Sequence, residues 1–314
     1  MAGHTKPKNR FGYSAINTET CERVLVTLLT TFGTMKSTLR LIGGLVPRYL
    51  TPEQPPVVPA HYGTSDVDVV LNLQVIAEGE NYASLHDQLV ERGFRKNTEQ
   101  NSWRWEFPVP GEMPVLVEFL QGNNQDGKPG RSVPIDGEAV SALVIPFAEM
   151  AHDWYCEKEI QAVLFGENGV GDAGVTFETI RFADEVAFIL LKAISFQNRN
   201  EPKDAADLIH VMRYAGEPEV VAEKFLVRMK SGEHPAAIEA GMTALQKCFA
   251  EGNGDVEGYM LTGPVRYGQF MHGDDPALEN ERLQEQRFAA GLVTEVLRII
   301  REHIQPAEKT IPAC

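Results

Sequence analysis

Gly63-Thr64-Ser65-Asp66-Val67-Asp68-Val69-Val70-Leu71 decides how the rest of this chain is read. Val67, Val69, Val70 and Leu71 form an apolar run, so a buried strand leaves a Gly-Thr-Ser turn. Side chains at i and i+2 of a strand share a face. Asp66 and Asp68 therefore project together from the mouth of that strand. Like charges held so close repel unless cations sit between them. Carboxylates of this kind suit Mg²⁺ or Mn²⁺, which prefer oxygen ligands. Upstream, Leu41-Ile42 reads as a short strand ending in Gly43-Gly44. That pair has two readings: a tight turn, where glycine is the default, or backbone N–H groups that an anion can approach at a helix start.

Other residues extend the pattern. Thr64 and Ser65 are either ordinary turn chemistry or hydroxyls placed for phosphate oxygens. Glu118 is an acid inside Val115-Leu116-Val117-Glu118-Phe119-Leu120. It is either a charge that keeps an edge strand from aggregating or, since buried unpaired Glu is rare, a third metal ligand. Asp126 and Asp136 read as solvated loop acids. Lys192 follows the apolar run Phe188-Ile189-Leu190-Leu191. Lys203 and Asp207 are i,i+4 neighbours. With Arg199, Lys203 is either a routine surface ion pair or a basic clamp on a triphosphate.

Composition narrows the classes. At 314 residues and 43 % hydrophobic, the chain can bury a core without disulfides and is long enough for two domains. Lys and Arg total 29 against 44 Asp and Glu, a net charge of −15. That argues against a broad non-specific nucleic-acid surface but not against local contact with an RNA end. Cys21, Cys156, Cys248 and Cys314 form no CxxC pair, which suits a reducing cytoplasm rather than a zinc or disulfide framework. No apolar stretch is long enough for a membrane span. The basic N-terminus, Met1 to Arg10, has no apolar core behind it and is not a signal peptide. The histidines form no site, and HExxH, GxSxG and Walker A motifs are absent.

Periodicity predicts a helix over 18–32, capped by Thr18 or Thr20, and a strand over 39–42. A helix starts near Leu45, and Pro52 to Pro59 is an irregular connector. A strand over 67–73, a helix over 82–91 and a strand over 102–109 follow. The last alternates Trp103, Trp105 and Phe107 against Arg104 and Glu106, and pairs as a hairpin with 114–120 across Pro110–Met113. Strand candidates lie at 143–149 and 160–165, and Gly166–Gly174 is a turn. Helical periodicity is then read over 179–197, 202–215, 217–229, 235–248 and 277–304. The expected organisation is a disordered tail (1–15), a mixed α/β domain (16–178) and a helical domain (179–314).

Gly43-Gly44, Gly63-Thr64-Ser65-Asp66-Val67-Asp68 and Glu118 together resemble the polymerase-beta-type nucleotidyltransferase superfamily. Leu41–Leu45 with Lys192 and Lys203-Asp204-Ala205-Ala206-Asp207-Leu208 is similar to its AbiEii group of bacterial toxins. The resemblance covers about residues 39–215. Its departures are Gly63-Thr64 where many relatives carry Arg, a proline-rich connector, and a final stretch of unfamiliar sequence. It implies an α/β (α+β) mixed sheet with flanking helices and a C-terminal helical domain. It further implies Asp66, Asp68 and Glu118 as catalytic ligands of two Mg²⁺ (or Mn²⁺) ions. Gly43, Gly44, Thr64 and Ser65 would lie at the nucleotide, and Lys192 and Lys203 would offset charge on the leaving pyrophosphate. The product would be an NMP on an acceptor: a tRNA 3′ end, a protein hydroxyl or a small molecule. A cognate antitoxin would be a partner if the chain serves a toxin–antitoxin or phage-defence pair. Two rival readings are a non-catalytic nucleotide-binding regulator and an antibiotic-modifying transferase, the latter because an acidic surface favours cationic substrates.

Overall fold

A computed structural model describes residues 7–72, 84–97, 103–122, 128–135, 139–166, 169–250 and 257–304. Asp126, Asp136, the first residues of the tail, Leu73, Tyr82, Ser102 and Cys314 lie outside them. The chain forms two compact units, one over 11–188 and one made of Pro7–Arg10 with the chain from Ile189 onward.

The first unit is built on one mixed sheet. Its helices are α1 (Ala15–Phe32), α2 (Pro47–Leu50), α3 (Leu85–Arg92) and α4 (Met150–Asp153). Its strands are β1 (Arg40–Ile42), β2 (Asp66–Val70), β3 (Arg95–Lys96), β4 (Arg104–Phe107), β5 (Val115–Gln121), β6 (Ser132–Pro134), β7 (Ser141–Val144), β8 (Tyr155–Phe165) and β9 (Asp172–Ala183). The order is β3-β4-β5-β2-β1-β9-β8, with β7 beside β5 and β6 beside β7. β2 runs antiparallel to β1 and parallel to β5, and β4 and β5 form the expected hairpin.

Alternation divides the central strands into two faces. Val67, Val69, Val117, Phe119, Trp105 and Phe107 share one face and are buried to 1 % exposure or less. α1 contacts β2, β5 and α3, and Phe32 of α1 meets Phe119 at a ring distance of 5.9 Å. That face is the core, held by apolar burial. The opposite face of the same strands carries Asp66, Asp68, Glu118 and Arg104.

Three expectations in this unit are corrected. α1 starts at Ala15, capped by Ser14, whose Oγ accepts from the Asn17 N–H. Thr18 and Thr20 lie inside the helix and donate back to the Ser14 and Ile16 carbonyls. The helix expected from Thr179 begins only at Glu185. Residues through Ala183 are strand β9, paired with β8 along its length, and Asp184 accepts from the Ala187 N–H at 2.9 Å to start the helix. The strand expected over 143–149 ends at Val144 and turns, since Pro146 has no N–H for a ladder.

The second unit is helical: most of α5 (Glu185–Arg199), then α6 (Pro202–Tyr214), α7 (Pro218–Ser231), α8 (Pro235–Leu245), α9 (Thr262–His272) and α10 (Glu279–Ile304). Proline opens α6, α7 and α8, where its missing N–H costs nothing. α9, which periodicity does not predict, contacts α6 and α10. Among the described residues no helix is long and apolar enough to cross a membrane.

Candidate functional site

Asp66 and Asp68 stand at the start of β2 on the face away from α1. Asp66 is 5 % exposed and Asp68 is half-buried. Register brings Gly43 to them: Ile42 of β1 pairs with Asp68, and the next residue is Gly43. Gly43 has φ +76°, and a Cβ there would stand 2.8 Å from the Asp68 carboxyl carbon. Its backbone conformation and the space beside it both require glycine. The two motifs therefore form one structure, with the Asp68 carboxylate lying in the room a side chain at 43 would take. The field of the two acids reaches Cys21 on α1: burial first, then Asp66 and Asp68, push its thiol up and keep it unreactive.

Glu118 is the parallel partner of Asp68, and Arg104 is the antiparallel partner of Glu118. Ile42, Asp68, Glu118 and Arg104 thus form one row across β1, β2, β5 and β4, and paired residues share a face. Arg104 donates from Nε and Nη2 to the same oxygen of Glu118, Oε1, at 2.9 and 2.6 Å. Glu118 therefore sits where expected along the sheet, with its carboxylate drawn toward β4. Among the described residues no three His, Cys, Asp or Glu side chains are arranged to hold a metal ion. Arg104 is the residue that sequence reading missed. The Pro110–Met113 turn was legible, but counting back from it sets Trp105 opposite Glu118; the observed register is one residue off and brings Arg104 there.

The Thr64 hydroxyl turns inward, onto Asp66. Thr64 is 3 % exposed, and its hydroxyl donates to Asp66 Oδ1 at 2.7 Å. Its N–H donates to Thr18 Oγ1 and its carbonyl accepts from the Cys21 thiol. Thr64 is thus a brace between α1 and Asp66. Ser65 lines a cavity of about 180 Å³ with Asn17, Thr20, Cys21, Glu112 and Met113. Thr64→Val keeps the volume and removes the donor to a buried carboxylate. It should cost about 1.5–3 kcal/mol in urea unfolding, with Thr64→Ser restoring most of it.

Gly44 is buried in a 3-10 turn, Gly43–Leu45, and the helix that follows is only Pro47–Leu50. The expected helix-start anion site is therefore one short turn, too brief to align a dipole. In the helical unit, Lys192 Nζ donates to Asp204 Oδ1 at 2.9 Å and Asp207 Oδ2 at 2.7 Å. Arg199 donates twice to Asp204, and Lys203 donates to Asp207. Asp204 and Asp207 are 1 % and 0 % exposed. Lys192 and Lys203, expected at a nucleotide, here serve buried carboxylates of α6 as a structural network. No family model matches this chain, and no curated protein or solved structure matches it.

Proposed function

We propose that the chain is a divalent-cation-dependent nucleotidyltransferase of the polymerase-beta type, moving an NMP from an NTP to an acceptor hydroxyl. The observation that carries this reading is the Asp68 carboxylate seated against Gly43, beside Asp66 on one strand and Glu118 on the next. Gly43 offers room and bare backbone, and the acids offer hard oxygen donors. Mg²⁺ is commonly held by one or two carboxylates together with substrate phosphates rather than by a full protein cage. Asp66 and Asp68 fit that role, with Glu118 as the third acid. A cation bound there would supply charge stabilisation at the phosphate oxygens. Thr64 fixes the Asp66 carboxylate, and Gly43 keeps the place of Asp68 open. The acceptor oxygen bonds to the α-phosphorus as the bond to pyrophosphate breaks, and its hydroxyl proton passes to a carboxylate of the site, with Glu118 the candidate base. The AbiEii-like setting, with a tRNA end or a protein hydroxyl as acceptor, and the antibiotic-modifying setting both belong to this chemistry.

The test is incubation of the purified chain with each α-labelled NTP, Mg²⁺ or Mn²⁺, and total tRNA, lysate or an aminoglycoside panel. Label should pass to one acceptor class and vanish in Asp66→Ala. No transfer to anything, or transfer unchanged in Asp66→Ala, would sink the reading. One observation favours a second reading: Glu118 is held by Arg104, as a regulator that binds nucleotide without turnover would allow. Calorimetry showing NTP binding with no product would select it.

Gly43→Ala separates the site from the fold. The φ of +76° makes alanine cost about 1–2 kcal/mol, and the new methyl must displace Asp68. We expect a folded chain, slightly less stable, that has lost Mn²⁺ binding along with transfer. Retained Mn²⁺ binding would count against the role given to Gly43.

A further inference from the structure

We infer that Arg104 is a positioning residue that holds Glu118 away from the cation site and yields it when a cation binds, an inference that rests on Asp66 and Asp68 being cation ligands. The row Asp68–Glu118–Arg104 puts the third acid between two claimants, one on each neighbouring strand. Strands in a sheet run about 4.8 Å apart, so a Glu side chain can serve either neighbour by changing rotamer. In this structure the guanidinium has it, through two bonds to a single oxygen.

The pair is not sealed. The Arg104 side chain is 33 % exposed and that of Glu118 17 %. Arg104 also stacks on Trp103, with its guanidinium carbon 4.5 Å from the ring centre. That second contact gives the cation a resting place independent of Glu118. A divalent ion at Asp66 and Asp68 would attract the carboxylate more strongly than a single positive charge and would repel the guanidinium. Once released, the planar fork of Arg104 matches a phosphate in two-point geometry. Cation binding would thus supply the third acid and at the same time free a guanidinium for the anionic substrate. A plain cross-strand ion pair would give none of this: its removal would change stability and leave cation affinity alone.

Titration of the full chain with Mn²⁺ alone, followed by calorimetry, tests the inference. Arg104→Gln should bind Mn²⁺ about ten-fold more tightly, the worth of one charge-assisted hydrogen bond no longer opposing the cation. Adding Glu118→Gln to that variant should abolish the gain, and Arg104→Lys should stay near the unmodified chain. Mn²⁺ affinity unchanged or weakened in Arg104→Gln would overturn the inference, as would a gain that survives Glu118→Gln. The unmodified chain gives a check that no folding defect can confound. Its Arg104 Nε–H resonance, identified by its loss in Arg104→Lys, should shift on titration with Mg²⁺, and no shift at saturation would refute the release. The outcomes separate from those of the transferase reading. An Mn²⁺ response without label transfer removes the enzyme and keeps the latch, while label transfer with Mn²⁺ affinity insensitive to Arg104 does the reverse.

Discussion

A chain carrying Lys192→Met should lose about 3 kcal/mol of stability in the helical unit, because breaking a buried ion network by removing one partner leaves charge uncompensated. Lys192 is 8 % exposed and is the member that bonds both carboxylates. Without it Asp204 keeps only Arg199, whose side chain is 55 % exposed, and Asp207 keeps Lys203. Urea unfolding followed at 222 nm should show the earlier midpoint. Tryptophan emission reports the sheet unit, where Trp103, Trp105 and Trp154 all lie, and its midpoint shows whether the damage stays among the helices. Unchanged stability combined with lost NTP binding would return Lys192 to a substrate role. The pH dependence follows from the same contacts. Burial opposes the Asp204 carboxylate, but Lys192 and Arg199 outweigh it and hold its pKa below the ordinary range. Burial likewise opposes the Lys192 ammonium, but Asp207 and Asp204 prevail and push it up to about 12. A depressed carboxylate stabilises the fold above its unfolded pKa and loses that contribution as pH falls through the folded value. A raised ammonium stabilises below its unfolded pKa and loses its contribution as pH rises through the folded value. The 222 nm midpoint should therefore hold from about pH 5 to 10 and drop below about pH 4 in the unmodified chain. Lys192→Met should lose much of that acid sensitivity.

The residues that could be read correctly from sequence are those whose partners are local or whose pattern has one meaning. Asp66 and Asp68 share a face because a strand alternates, whatever lies beside it. The hairpin of β4 and β5 follows from tryptophans and phenylalanine alternating with charge before a Pro-Gly turn and an apolar run after it. β9 shows where pattern fails. Val175 and Phe177 are apolar yet 58 % and 63 % exposed, so burial does not follow the alternation, and a helical count fits as well. What makes 172–183 a strand is β8, a partner that periodicity does not see. α9 was hidden for a different reason. Gly263, Pro264 and Gly268 depress helix propensity, and packing against α6 and α10 overrides it. At the site, residue types were legible but their allegiances were not. Thr64 faces Asp66 rather than solvent, and Lys192 faces two acids from the next helix. Each is a choice between a ligand and a protein partner, and only tertiary contact decides it.

Asp68→Asn is expected to abolish cation-dependent stabilisation and to cut transfer sharply while leaving the fold intact. Asparagine keeps the shape that fits against Gly43, so packing is undisturbed, but it removes the charge that would hold a divalent ion beside Asp66. Neutralising one of two neighbouring carboxylates also relieves their repulsion, so stability in chelator should not fall. In the unmodified chain Mn²⁺ at a hundred times its dissociation constant should add about 2.7 kcal/mol, by mass action on the folded state alone. Asp68→Asn should show none of that gain, and label transfer should fall by about 10²–10³-fold, as when one electrostatic stabiliser of a transition state is removed. Thermal denaturation with EDTA and with Mn²⁺ measures the first effect, and the label assay measures the second. If Asp68→Asn is stabilised by Mn²⁺ as strongly as the unmodified chain, the cation binds elsewhere and the acids of β2 are not its ligands. If the Mn²⁺ effect disappears but transfer persists, the acids hold an ion that the chemistry does not use. Loss of both, with the EDTA midpoint held or raised, is the pattern of a site that keeps two like charges together for the sake of the cation between them.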